Sequence, residues 1–286
     1  MHIQQDYAEL HCVSHFTFLR GASSPDELVK RAAELGYTAL AITDECSVSG
    51  VVRAHTSARD CNLKLIIGSE FVLDDGLRLV LLATDREAYA ELCRLITRGR
   101  RAAPKGQYEL SRADVLELVQ RCAVLAVPAK GFAVTDARWL AGAFPGRCWL
   151  AAELPNDGAL ASRLGYYRKL SEASGLPVVA TGNVHMHAHS RRALQDTVTA
   201  IRLGVALADA GAALFPNGQR YLRPRQDLAR RFPPEWLQAT CDIAGQVQFT
   251  LDDLRYRYPH ELVPEGESAS GWLRELTERG IRWRWP

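Results

Sequence analysis

Seven short, almost wholly apolar segments recur through the first two-thirds of the chain, and this series limits the fold more than any other feature. They are YAELHC (7–12), TALAIT (38–43), LKLIIGSEFVL (63–73), LRLVLLAT (77–84), CAVLAVP (122–128), RCWLAAEL (147–154) and LPVVATG (176–182). Such runs, rich in Val, Ile, Leu and Ala, are what a mainly parallel sheet needs when helices cover both its faces. Helical segments lie between most of them. Ser24-Pro25-Asp26-Glu27 opens the first with an N-cap, a proline at the first helical position and a capping-box glutamate. Further helices are expected over about 48–61, 86–99 and 157–174, and from Ser111 onward. An Asp75-Gly76 turn joins the third and fourth strands as a hairpin, the one clear break in the alternation. Seven strands with short connections predict a barrel-like α/β fold, with an open doubly wound sheet as the competing architecture.

From about residue 190 the pattern turns helical, through HSRRALQDTVTAIRLGVAL and PPEWLQATCDIAGQV, and a last helix follows Ser268. That helix carries Trp272, Leu273, Leu276 and Ile281 with little left to pack on, so a longer protein is expected to continue past it. At 286 residues the chain suits one large domain with an appendage, or two small domains. No apolar run approaches ~18 residues and the N-terminus lacks a signal-peptide pattern, so a cytoplasmic protein without membrane contact is expected. Seven cysteines, an odd count without a C-x-x-C pair, argue against a disulfide framework or zinc knuckle and for buried free thiols. A net charge of +2 provides no global field for nucleic acid. Locally, Arg98, Arg100, Arg101 and Lys105 form a basic stretch that is either solvated surface or a DNA phosphate contact.

In parallel α/β folds chemistry gathers at the carboxyl ends of strands. Those ends carry His11, then Asp44 and Glu45, Glu70, Glu153, and finally Asn183 and His185. Two imidazoles and several carboxylates at one mouth could hold a cluster of divalent metals, which activates water for phosphoester hydrolysis. The first strand complicates this. A His-x-His pair would need a second imidazole at position 13, where Val13 stands, and His15 is too far along to replace it. His187 and His189, which alternate with His185, read as a surface loop before a helix capped by Ser190.

The segments AELHCVSHFTFLRGAS, ALAITDECSVSGVVRAH, KLIIGSEF, LVLLATD, LPVVATGNVHMH and the terminal LRYRYPHELVPEGES…WLRELTERGIRWRWP, in that order, resemble the N-terminus of a bacterial C-family DNA polymerase. More narrowly, they are similar to the error-prone branch used in damage-induced mutagenesis. The resemblance runs over essentially the whole chain. It implies a polymerase and histidinol phosphatase (PHP) domain over residues 1–200, folded as a distorted seven-stranded (βα)7 barrel. Residues 201–286 would form a mainly helical segment leading into the polymerase palm. The palm's catalytic carboxylates, with their Mg or Mn, would lie beyond this chain, so no catalytic residue is assigned within it. DNA, dNTPs, other mutagenesis proteins and the sliding clamp are the partners the resemblance implies for the full-length polymerase.

Active PHP members hold metal through His-x-His, a following acidic or His residue, Asp-His, Glu, a Cys or His, and Asp-x-His. Against that pattern the chain keeps His11, Asp44, Glu70 and His185. It departs at Val13, at Arg20 for the acidic residue, at Glu45 for a His, at Ala129 for the Cys or His, and at Asn183 for the Asp. Arg20 weighs most, because its charge is permanent. A guanidinium ~4 Å from a divalent ion is repelled by several kcal/mol even at an effective dielectric of ~20. The retained ligands are therefore expected to be vestigial, with residual Zn or Mn as the most they could hold and no cofactor required. Arg20 is expected to stand in for metal by pairing with Asp44, Glu45 or Glu70; the alternative is that it points to solvent. A catalytically silent scaffold follows. The rivals are a working phosphoesterase and a module that binds DNA or protein.

Overall fold

The structure, a computed structural model, describes residues 5–129, 131–254 and 262–286. Part of the terminal segment quoted above, residues 255–261, lies outside the described residues. The chain divides into a large unit ending at Asp253 and a small one, Leu254–Pro286.

The large unit is built on seven strands: β1 (Ala8–Glu9), β2 (Ala39–Ile42), β3 (Lys64–Val72), β4 (Arg78–Leu82), β5 (Ala123–Ala126), β6 (Cys148–Glu153) and β7 (Val178–Thr181). They neighbour one another in sequence order, β1 through β7. All pairings are parallel except those of β4, which runs antiparallel to both β3 and β5. Just past the ends of β1 and β7 the sheet meets itself: Val13 N–H donates to the Val184 carbonyl (2.8 Å) and Val184 N–H to that of His11 (2.9 Å). The sheet thus nearly closes into a barrel, and the open doubly wound alternative is set aside.

The fully buried Glu9 locks this seam. Its carboxylate accepts from both the Gly182 and His11 N–H groups (3.0 Å each) and from the Tyr7 hydroxyl (2.8 Å). A Cβ on Gly182 would lie 2.4 Å from Glu9 Oε2, so only glycine lets the two strand ends approach.

Helices α1 (Pro25–Glu34), α2 (Val51–Asp60), α3 (Arg86–Ala102), α4 (Arg112–Leu118), α5 (Val134–Ala143) and α6 (Leu160–Ser174) follow the strands. The expected capping box at Ser24 forms, and Ser111 caps α4 in the same way. Helix α5 was not expected from the sequence: its N-cap, Ala133, has no polar side chain, and Asp136 alone reaches back to the cap backbone. One apolar layer, including Leu40, Ile42, Phe71 and Leu81, packs between sheet and helices. A second fills the barrel with small and medium side chains, among them Ala8, Ala39, Ile66, Val80 and Ala151.

Compact packing continues past residue 200. After α7 (Arg192–Leu203) and α8 (Arg225–Ala229), helix α9 (Pro234–Gln246) sends Ile243 and Ala244 into the barrel's inner cluster. Lys64 Nζ, at the amino end of β3, donates to the Ala244 and Val247 carbonyls (2.7 and 2.8 Å). This plugs the amino end of the barrel and leaves the carboxyl end as the polar mouth. Helix α7 differs from expectation at its start: Ser190 does not cap it, because residues 189–191 form a 3-10 turn and Arg191 takes the cap position. The small unit consists of α10 (Ala269–Arg284), whose N-cap is the expected Ser268. Among the described residues no helix is long and apolar enough to cross a membrane.

Candidate functional site

Alternation along the strands aims polar side chains into the mouth. Glu70 follows Ile66 and Gly68 on the inner face of β3, and Glu153 follows Trp149 and Ala151 on that of β6. Strand β4 delivers a residue that a search of carboxyl ends overlooks. Because it is antiparallel, its first residue, Arg78, reaches the mouth, on the same face as Val80 and Leu82. The alternation R-L-V-L-L carried that signal once the hairpin was recognised.

Glu70 is the centre of the site and is fully buried. His11 Nε2–H donates to Glu70 Oε2 at 2.6 Å, and Arg20 Nη2 donates to Oε1 at 3.0 Å. The same guanidinium bonds Glu45 through Nη1, and the Tyr108 hydroxyl holds the other Glu45 oxygen at 2.9 Å. Burial alone would raise the Glu70 carboxyl; the His11 hydrogen bond, with the charges of His11, Arg20 and Arg78, outweighs it and holds the group far below the usual carboxylate range. Arg20 therefore points inward, with its side chain 19% exposed, and bridges two of the three carboxylates considered for it.

Asp44 is the exception. It does not pair with Arg20. Its oxygens accept from the Ser14 N–H, the Ser14 hydroxyl and the Thr17 hydroxyl, each at 2.8 Å. Burial raises its pKa despite those bonds. Asp44 thus organises the 14–17 turn that leads to Arg20, a role its position in the family pattern gave no sign of.

Asn183 settles the far side of the mouth. Its Nδ2 donates to Glu153 Oε1 (2.8 Å), which fixes the amide so that Oδ1 accepts from His185 Nε2–H (2.9 Å). His185 Nδ1 faces the Arg20 carbonyl at 3.2 Å, and burial, reinforced by the nearby Arg220 and Arg20 charges, pushes the His185 pKa well below its ordinary value. Arg220, from the strand-like stretch beside Met186, reaches Glu153 at 3.4 Å. Nothing local marked Arg220 in advance, since its segment lies outside the strand–helix pattern.

Position 13 offers only a buried valine within the seam, and Ala129 only a methyl group in the loop after β5. His187 is held by Ser23, and His189 packs edge-on against Tyr221; neither joins the mouth cluster. In the basic stretch, Arg98 pairs with Asp114 and Glu117, while Arg100 donates to the Glu45 and Cys46 carbonyls. Arg101 and Lys105 remain exposed cations.

The residues present do not fit a metal cluster. Among the described residues no group of three or more His, Cys, Asp or Glu side chains is placed to hold a metal ion. His11 and Glu70 are bonded to each other, and a permanent cation occupies the space between Glu45 and Glu70. One buried donor atom, His11 Nδ1, has no hydrogen-bond partner; it lies 4.0 Å from Glu153. A single imidazole nitrogen does not make a coordination sphere.

Residues 9–137 match the PHP domain family model. The chain is 53% identical over 281 residues to an error-prone DNA polymerase of Methylococcus capsulatus, covering 98% of this chain and 27% of that protein. It is 51% identical over 286 residues to that of Dechloromonas aromatica (98% and 28% covered) and 54% identical over 289 residues to that of Aromatoleum aromaticum (97% and 27%). The chain thus spans little more than a quarter of these relatives' length. Among solved structures, an amidohydrolase from Chromobacterium violaceum aligns with a TM-score of 0.46 at 15% identity, over 63% of this chain and 87% of that one. Residues 9–137, which supply the first five strands of the nearly closed barrel, thus carry the PHP-domain match, in a chain similar along almost its whole length to the N-terminal part of error-prone DNA polymerases.

Proposed function

We propose that this chain is the metal-free PHP segment of a longer, cytoplasmic error-prone DNA polymerase, and that its role there is to support neighbouring domains rather than to cleave phosphoesters. One observation carries the non-catalytic part: Arg20 lies between Glu45 and Glu70, where metal-dependent chemistry would require a divalent ion. A guanidinium neutralises those carboxylates and cannot activate water. His11, Asp44, Glu70 and His185 are then vestiges kept for their hydrogen bonds. The full-length protein would transfer nucleotides from dNTPs to primer ends on damaged template, using divalent metal in a palm outside this chain. DNA contact through Arg101 and Lys105, and association with other mutagenesis proteins and the sliding clamp, belong to the same proposal.

The test is elemental analysis of the untagged chain after dialysis against manganese and zinc and then desalting. Less than about a tenth of an ion per chain is expected, since a zinc site takes at least three protein ligands. One or more ions per chain, together with manganese-dependent nuclease or phosphatase activity, would overturn the proposal.

A further inference from the structure

A second group of arginines lies outside the mouth. The strand-like stretch around Tyr221 is shared between two sides by alternation. Arg220 faces the mouth and Leu222 the core, whereas Gln219, Tyr221 and Arg223 line a separate cavity of about 480 Å³. Arg223 is only 3% exposed, yet it makes no ion pair among the described residues, and its one hydrogen bond runs from Nη1 to the Leu154 carbonyl at 3.4 Å. A guanidinium buried without an anion is costly, and an anion from outside would remove that cost. Arg231, in the same lining, also lacks an ion pair among the described residues, while Arg230 is matched by Asp227 at 3.3 Å. Gly158 and Leu160 bring the start of α6 to this cavity; its N-cap, Ala159, offers no side-chain acceptor, so the first-turn amides add positive potential. Asp157 beside it is already occupied by Arg163 Nε and the Ala159 N–H (3.1 Å each). Across the same helical turn, Pro128, Ser162, Arg163 and Tyr166 line another cavity of about 480 Å³. Tyr166 is 42% exposed and meets Tyr167 edge-on (5.4 Å) rather than stacked, which leaves ring surface open.

We infer that the two cavities flanking the first turn of α6 form a platform for single-stranded nucleic acid, in which Arg223 and Arg231 take backbone phosphates and Tyr166 stacks on a neighbouring base. A cationic groove beside an open aromatic ring is the pairing that a single strand needs, since its backbone is charged throughout and every base has a face to stack. Guanidinium forks match phosphate oxygens in pairs. An acidic peptide would satisfy the arginines but makes no use of Tyr166, and a duplex keeps its bases stacked inside. The platform shares no lining residue with the mouth, so it does not depend on whether metal is held there. It goes beyond the supporting role proposed above and is separate from Arg101 and Lys105.

Fluorescence anisotropy of the 286-residue chain with a labelled oligothymidylate of about 12 nucleotides, in the presence of chelator, tests it. Saturable binding is expected, with an abasic oligomer of equal length and charge at least about fivefold weaker. Tyr166→Ala should lose at least about fivefold towards thymidylate and nothing towards the abasic oligomer. Arg231→Ala should lower the slope of log K against log salt by about 0.7, the share of one phosphate on a single strand. Both positions are partly exposed, so these variants keep the core intact. Arg223→Met, similar in bulk, should weaken thymidylate binding about tenfold or more. Arg202→Ala, on the rim of the mouth, should bind as the parent does. Absence of saturable binding overturns the inference, as does equal affinity for the abasic oligomer or a larger loss in Arg202→Ala than in Arg231→Ala. Hexaglutamate binding more tightly than the oligothymidylate would identify a docking site for acidic protein segments instead and also overturn it.

Discussion

Arg20→Ala is the substitution that most directly probes how the mouth is held together. It removes the guanidinium from between the fully buried Glu70 and Glu45, whose side chain is 23% exposed. Breaking a buried ion pair by deleting one partner costs ~3–5 kcal/mol, because the survivor is left uncompensated. Two features lower that figure here. Glu45 can turn to water, so its half of the bridge is worth under ~1 kcal/mol. Glu70 keeps the 2.6 Å bond from His11 and the more distant Arg78. A loss of about 2–3 kcal/mol is therefore expected. For a unit of this size it appears as a fall in Tm of about 4–12 °C. Urea unfolding followed by circular dichroism measures the loss, and Glu70→Gln supplies the control. Without the Glu70 charge, Arg20→Ala should cost less than ~1 kcal/mol, so the double-mutant cycle should return a coupling of at least ~1 kcal/mol. A single-mutant loss below ~0.5 kcal/mol, or the same loss in both backgrounds, would refute the bridge and leave Arg20 a surface residue.

Gly182→Ala places a methyl group 2.4 Å from Glu9 Oε2 and 2.8 Å from Val184 Cγ2. Overpacking and loss of hydrogen bonds to the Glu9 carboxylate together predict at least ~3 kcal/mol of destabilisation by urea titration. For His185 the folded pKa lies below the unfolded one, so its contribution is complete above about pH 6.5 and declines as pH falls from there towards the folded value. Parent stability between pH 7.5 and 5.5 should carry an extra slope of up to ~1.4 kcal/mol per pH unit, which His185→Asn removes. Equal slopes would show that the imidazole is not held neutral. Asn183→Asp sets a carboxylate beside Glu153 and should cost ~1–3 kcal/mol at pH 7, shrinking as the pH is lowered towards 4; a pH-independent loss would point to steric disturbance instead.

The elements of the barrel were legible from short-range pattern alone. Strands β2 to β7 fall inside the expected apolar runs, the hairpin follows Asp75-Gly76, and Ser24, Ser111 and Ser268 cap the helices they precede. These features need only neighbours in sequence: a run of apolar residues, a turn dipeptide, a serine at the start of a helix, with an acid three residues on for Ser24 and Ser111. Helix α5 escaped because its start lacks a capping side chain, and the 3-10 turn at 189–191 because Ser190 resembles a cap that the backbone does not use.

The site divides in the same way. That Val13, Arg20 and Asn183 depart from the expected ligand pattern is a matter of residue type, and reading it needed no coordinates. What each substitution does instead depends on approach between distant segments. Arg20 meets Glu70 across 50 positions, Asn183 meets Glu153 across 30, and Arg220 reaches Glu153 across 67. Asp44, one candidate partner for Arg20, was claimed by Ser14 and Thr17, whose hydroxyls the turn brings within 2.8 Å. Sequence therefore determined which charges exist, which strands carry them and which positions depart from the expected ligand pattern. Only the nearly closed sheet decided which charges neutralise one another, because hydrogen bonding and charge pairing fall off within a few ångströms and the barrel alone sets those distances.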